Sequence, residues 1–170
     1  GQASKGMPYS YTFADSDNLW SPSFADKNRQ LLYVPQVNDP NVVYGDDFDI
    51  DAFNAFVNDE NLKRGSITGR NSEYAPWFIK FDFKVTQELP GFMEGHKGEA
   101  YFVIDNLTNL LNDDWGKLEK GNFVGNPVVK TSRDDQGRYV YESFNSGNVG
   151  TYVQRDASLW EMRIGVRYTF

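Results

Sequence analysis

The chain has no cysteine, which excludes disulfides, thiol nucleophiles and cysteine-ligated metal sites. It leaves the compartment open, because exported bacterial proteins also do without thiols. There is one histidine, His96, in the Gly-rich stretch 90–98. A zinc centre or a Ser-His-Asp triad would have to be built on it, and no neighbouring residues support either, so it reads as a solvated turn residue. Basic residues are outnumbered, with 17 Lys and Arg against 24 Asp and Glu and a net charge of −7. That balance argues against nucleic acid, whose phosphates need a basic face, and against an anionic membrane surface. No run approaches the roughly eighteen apolar residues of a transmembrane helix. No apolar leader follows Gly1, and a first residue other than Met fits a processed chain or a fragment.

Aromatic residues are abundant: 13 Phe, 10 Tyr and 4 Trp in 170 residues, with 15 Gly. Together with Asn and Asp clusters this favours strands and turns. Residues 77–89 (W-F-I-K-F-D-F-K-V-T-Q-E-L) alternate with period two. One face carries Trp77, Ile79, Phe81, Phe83, Val85 and Leu89, interrupted only by Gln87, and the other carries Phe78, Lys80, Asp82, Lys84, Thr86 and Glu88. The last residues (L-W-E-M-R-I-G-V-R-Y-T-F) repeat the pattern, with Trp160, Met162, Ile164, Val166, Tyr168 and Phe170 against Glu161, Arg163 and Arg167. Strands are expected over about 7–13, 76–90, 98–112 and 158–170. The facing of the third is ambiguous, because Tyr101, Val103 and Leu107 compete with Phe102 and Ile104.

Polar segments of about 14–75 and 113–157 connect these strands, whereas only about nine residues follow Leu89. Within the first, a helix is expected over about 49–62, with Ile50, Phe53, Phe56 and Val57 on one face, Asp47 or Asp49 as cap and Gly65 past the end. Within the second, a hairpin is expected, with strands 127–131 and 138–144 around the turn at Asp134 to Gly137.

Alternation alone also fits a soluble sandwich. Three features point to a transmembrane barrel instead. Ten steps from Trp160 to Phe170 span roughly 33 Å, or about 23 Å when tilted by ~45°, close to the ~25 Å apolar band of such a barrel. Trp77, Trp115 and Trp160 lie at one set of strand ends, and Phe92, Tyr101, Tyr168 and Phe170 at the other, as two interfacial girdles would. Short turns on one side and long loops on the other complete the pattern. The expected lipid-facing residues are Trp77, Ile79, Phe81, Phe83, Val85, Trp160, Met162, Ile164 and Val166.

The final residues place Arg163, Gly165, Tyr168 and Phe170 in the order polar-x-Gly-x-x-aromatic-x-aromatic. This resembles the β-signal read by the outer-membrane assembly machinery of Gram-negative bacteria. F-D-F-K-V-T-Q-E-L-P-G-F (81–92), G-H-K-G-E-A-Y-F-V-I-D-N-L-T-N-L-L-N-D-D-W-G (95–116) and S-L-W-E-M-R-I-G-V-R-Y-T-F (158–170) are together similar to the C-terminal end of TonB-dependent outer-membrane receptors of the Oar-like, carboxypeptidase-regulatory-like group. P-Y-S-Y-T-F (8–13) and Leu31-Leu32-Tyr33-Val34-Pro35 also fit that group. The resemblance covers nearly the whole chain, the loops least well.

That resemblance implies an all-β fold: the last four strands of a 22-stranded antiparallel barrel in the outer membrane, with extracellular loops at about 14–75 and 113–157. Plug domain and TonB-box would lie upstream, and four strands cannot close a barrel, so the chain is expected to be a fragment. The implied partners are the rest of the barrel and plug, TonB, the assembly machinery, lipid and a bulky nutrient. Enzymatic activity, a cofactor and nucleic-acid binding are not expected. Loop aromatics Trp20, Tyr33, Tyr44, Trp115 and Tyr139 are candidates for ligand contact, against the reading that they pack loops together. Asp15-Ser16-Asp17-Asn18 opens like a calcium loop but lacks the required Gly and distal Glu, and no metal site is assigned. A secreted soluble β-domain binding a ligand or carbohydrate, and a small complete barrel, remain as alternative readings; the second needs eight long strands, and about four are found.

Overall fold

A computed structural model describes residues 1–14 and 28–170. The calcium-like start at Asp15 to Asn18 and the candidate Trp20 lie outside the described residues. The elements are mostly strands, and among the described residues no sheet closes on itself. The chain divides into two units. One comprises Gly1–Gly6, Pro76–Glu119 and Val153–Phe170, and the other Met7–Ala75 and Lys120–Tyr152.

The first unit is built on a three-stranded antiparallel sheet. Its central strand, Lys97–Asp105, pairs with Phe83–Pro90 on one side and with the terminal strand Glu161–Thr169 on the other. The expected strand 76–90 is interrupted. Phe78–Lys80 and Phe83–Pro90 are separate, and Phe78–Lys80 pairs with Gln2–Ser4. The break is at Phe81-Asp82, whose carbonyl and carboxylate are drawn away: Leu107 N–H donates to Phe81 O (2.7 Å) and Asn106 N–H to Asp82 Oδ1 (2.9 Å). The expected strand 98–112 stops at Asp105, where Asn106 adopts φ 56° and a short helix, Leu107–Leu111, follows. Asn tolerates this left-handed conformation better than other residues with a side chain.

The second unit has its own core, made from the two segments read as loops together with Tyr11 and Phe13 of the expected strand 7–13. Tyr11–Ala14, Asn126–Arg133, Tyr139–Phe144 and Val42–Tyr44 form a mixed sheet in that order. The hairpin 126–144 is antiparallel and both outer strands join it in parallel. Asp134 fixes the hairpin turn, accepting from Gln136 N–H (3.0 Å), Arg138 N–H (2.8 Å) and Arg138 Nε (2.6 Å). The helix is Ile50–Asp59, capped by Asp49, whose Oδ1 accepts from Ala52 N–H at 2.9 Å. Phe53, Phe56 and Val57 are buried, whereas Ile50, expected on the same face, is exposed. Phe53 meets Tyr141 and Phe144 edge-on, and Phe56 meets Tyr11 with centroids 4.9 Å apart. Such edge-to-face pairs add to the area that the rings bury.

The expected wall strand 7–13 therefore has a different place. It splits into Pro8–Tyr9 and Tyr11–Ala14, and Tyr11, Thr12 and Phe13 are all buried in the second unit. Its alternation of aromatic and small polar residues reflects burial on both faces. Tyr33 Oη donates to Asp39 Oδ2 (2.6 Å), and Asp39 also accepts from Gln36 N–H, Asn41 N–H and Asn41 Nδ2. The Tyr33 hydrogen bond, then those from Asn41 and Gln36, hold the carboxyl below its ordinary 3.8, and the same bond pushes the Tyr33 hydroxyl up to about 12. A carboxyl with a lowered folded-state pKa adds stability that is present above the unfolded value and lost as the pH falls through the folded one. The stability of the second unit, read as its melting temperature, is thus expected to fall with acidification below pH 3.8. In Asp39→Asn that part of the acid dependence should be missing from a series of thermal melts.

Candidate functional site

Directly opposed residues of an antiparallel sheet share a face, so the register of the three-stranded sheet sorts its side chains without ambiguity. Ile104 opposes Met162 and Phe83, Phe102 opposes Ile164 and Val85, Ala100 opposes Val166 and Gln87, and Gly98 opposes Tyr168 and Leu89. These residues form one face, apolar apart from Gln87 and the Tyr168 hydroxyl. The other face carries Lys84, Thr86 and Glu88, then Glu99, Tyr101, Val103 and Asp105, then Glu161, Arg163, Gly165 and Arg167. Facing in the central strand is thus settled for Phe102 and Ile104. On the charged face Arg163 pairs with Asp105 and lies 3.6 Å from Glu161.

The apolar face is open along its two outer strands, while Ile104 of the central strand is buried and Phe102 half-buried. All nine residues expected to face lipid are exposed, and Ile164 and Val166 in mid-strand reach 83% and 74%. Among the described residues nothing covers them. A three-stranded sheet with both faces in water has no core to hold it, and exposed apolar surface this continuous is rare in soluble monomers. Trp77, Ile79 and Phe81 continue the apolar surface along a cleft shared with Trp115 and Leu111.

Both ends of the sheet are tied. At one end, Asn106 Nδ2 donates to Gly116 O (2.9 Å) and Ser158 O (2.8 Å), while Thr108 Oγ1 donates to Asn106 Oδ1 (2.7 Å). With its own N–H on Asp82, Asn106 links the chain around all three strands. Gly116 has φ +62°, and a Cβ there would collide with Asn106 Oδ1 and lie 2.7 Å from Thr108 Oγ1. Asn109 Nδ2 donates to Asp113 O and Trp115 O, and Asn112 Oδ1 accepts from Asp114 N–H. The run N-L-T-N-L-L-N-D-D-W-G is therefore a hydrogen-bonded cap; each of its three asparagines has a separate task.

At the other end, Tyr168 Oη accepts from Phe92 N–H (3.2 Å) and lies 2.9 Å from His96 Nδ1. His96 is thus bonded to the terminal strand, where a solvated turn residue was expected. Gly165 fits the same logic. The Tyr101 ring lies across it on the charged face, where any Cβ would collide with the phenol. Replacing Gly165 by Val should displace Tyr101 and cost about 1–3 kcal/mol, as overpacking does. A fall in the urea midpoint of the purified chain, rescued by adding Tyr101→Ala, would verify that the ring is the cause.

Of the candidate ligand contacts, Tyr139 stacks on Phe13 and Tyr33 with centroids 5.7 and 5.8 Å apart, so Tyr33 and Tyr139 hold the second unit together. Tyr44 packs on Phe48 and is 37% exposed, and Trp115 is exposed. Among the described residues no cluster of His, Asp and Glu is arranged to hold a metal, and no helix is long and apolar enough to cross a membrane. Comparison of the chain with protein-family models, curated proteins and solved structures gives no match. Sequence reasoning missed the Asn106 cap and the Tyr101–Gly165 contact. Their only local signals are an asparagine and a glycine inside apparent strands.

Proposed function

We propose that this chain is the C-terminal wall of an outer-membrane TonB-dependent receptor that takes up a bulky nutrient with energy delivered through TonB. The observation that carries the reading is the three-stranded sheet with one continuous apolar face left uncovered and one charged face. Lipid cannot hydrate charge, so a barrel wall is apolar outside and polar toward its lumen. In this reading Phe83, Val85, Met162, Ile164 and Val166 contact acyl chains, and Lys84, Glu99, Arg163 and Arg167 face the water-filled interior. The short turn held by Tyr168 and His96 faces the periplasm. The segments of about 14–75 and 113–157 are extracellular loops in this reading, where ligand arrives. Arg163, Gly165, Tyr168 and Phe170 form the signal that the assembly machinery recognises, with Gly165 and Tyr168 serving the fold as well. The wall is completed by strands of the same receptor, and its plug responds to TonB.

A secreted soluble ligand-binding domain is the competing reading, and the core of the second unit is what favours it. An antibody to the last twelve residues, applied to fractionated source cells with boiled and unboiled samples, separates the two. The receptor reading expects an outer-membrane band well above 19.5 kDa that shifts on boiling. A soluble band insensitive to heat would reject it.

A further inference from the structure

The second unit holds a cleft of about 560 Å³ that neither the sheet nor the loop aromatics singled out from sequence account for. Its volume is that of an ordinary small-ligand site. Met7, Phe123 and Tyr152 line it and are exposed, Phe123 at 94%. Lys120 is the one charged residue among its lining, and it forms no ion pair among the described residues of a chain whose net charge is −7. Two carboxamides complete the wall. Asn71 is held by Ser10, whose Oγ accepts its N–H at 2.7 Å, and Asn122 by its own N–H on Asn126 Oδ1 at 2.8 Å. The Asn122 side chain makes no hydrogen bond of its own among the described residues. Beside it Val124 adopts φ 78°. A β-branched residue is rarely found there, and such strain is concentrated at ligand clamps.

We propose that this cleft binds the C-terminal end of a peptide, with Lys120 on the carboxylate, Asn71 and Asn122 on the peptide groups, and Met7, Phe123 and Tyr152 around an apolar terminal side chain. The single cation selects an anionic end. The Asn122 carboxamide and Asn71 Nδ2 distinguish a peptide from a fatty acid, which offers them no partner, while Asn71 Oδ1 already accepts from Ser10 Oγ at 3.5 Å. The inference does not depend on where the sheet of the first unit lies, and it gives the receptor reading a ligand class if that reading holds.

The chain's three methionines supply the assay. Methyl-labelled full-length chain, in lipid nanodiscs or in buffer if the fractionation finds it soluble, is titrated with acetyl-Leu-Phe, its C-terminal amide, and decanoate. The Met7 methyl should shift saturably with the acid while Met93 and Met162 stay in place. The amide and decanoate should each bind about tenfold more weakly. Lys120→Gln should remove the preference for acid over amide, and Phe123→Ala, at an exposed position, should weaken all peptide binding about fivefold. Equal affinity for acid and amide, decanoate binding as tightly as the peptide, or equal shifts at all three methionines would each overturn the proposal.

Discussion

Under the proposed receptor reading, Ile164→Arg is expected to prevent accumulation of the protein in the outer membrane. Ile164 lies in the middle of Glu161–Thr169 and is 83% exposed. In water, arginine at so exposed a position changes stability by no more than about 0.5 kcal/mol and improves solubility. At the mid-plane of a bilayer the same substitution costs about 2–4 kcal/mol. The two environments thus predict opposite outcomes for one residue. Ile164 is also outside the four positions proposed to form the terminal signal, Arg163, Gly165, Tyr168 and Phe170, so under that reading the substitution leaves the signal intact. Arg167→Gln, on the charged face, should be tolerated in either case. Quantifying the heat-shifting band of each variant in isolated outer membranes gives the comparison. Wild-type levels of Ile164→Arg would mean that this face does not meet lipid.

The second large effect is expected at Asn106. It is buried, and its carboxamide serves Gly116 O, Ser158 O and the Thr108 hydroxyl together. In Asn106→Ala both carbonyls lose their donor in a buried setting, at about 1–3 kcal/mol each. Alanine at φ 56° adds about 1–2 kcal/mol of backbone strain. The total is about 3–8 kcal/mol, enough to release the chain between the central strand and the start of the terminal one. Asn106→Gly relieves the backbone strain alone and should recover only the smaller part. Asn106→Asp keeps the shape but turns an acceptor toward two carbonyls, and should be no better than alanine. Urea midpoints of the four proteins in the same detergent rank them. If Asn106→Ala unfolds like the wild type, the cap does not hold the sheet.

The elements most legible in the sequence are those whose signal is local. Period two over 83–89 and 161–169 gives the strands and their apolar sides, whereas the same alternation over 77–82 hides the break at Phe81-Asp82. The Asp-Asp-Gln-Gly turn gives the hairpin, and an aspartate ahead of Phe53, Phe56 and Val57 gives the helix. What was hidden depends on partners far along the chain. The central strand reads as one long strand through Asn112 because nothing before Asn106 shows that its carboxamide will be used at Gly116 and Ser158. Its facing was undecidable until paired with Met162 and Ile164. Tyr11 and Phe13 alternate like a wall strand, yet Tyr11–Ala14 runs parallel to Asn126–Arg133, more than a hundred residues away. A long polar connection is normally a poor source of core. Here two of them assemble one, through aromatic side chains that composition counts but does not place.

The central claim, that one face of the three-stranded sheet lies against lipid, can be read position by position with single cysteines, because the chain itself contributes no competing thiol. Each residue from Glu161 to Thr169 is replaced in turn by a spin-labelled cysteine, in native outer membranes. Accessibility to oxygen, which concentrates in lipid, is compared with accessibility to a water-soluble nickel chelate. The account predicts strict alternation: oxygen favoured at 162, 164, 166 and 168, chelate favoured at 161, 163, 165, 167 and 169. Equal access of the chelate to both sets would contradict it, and would leave the apolar face as a surface in water.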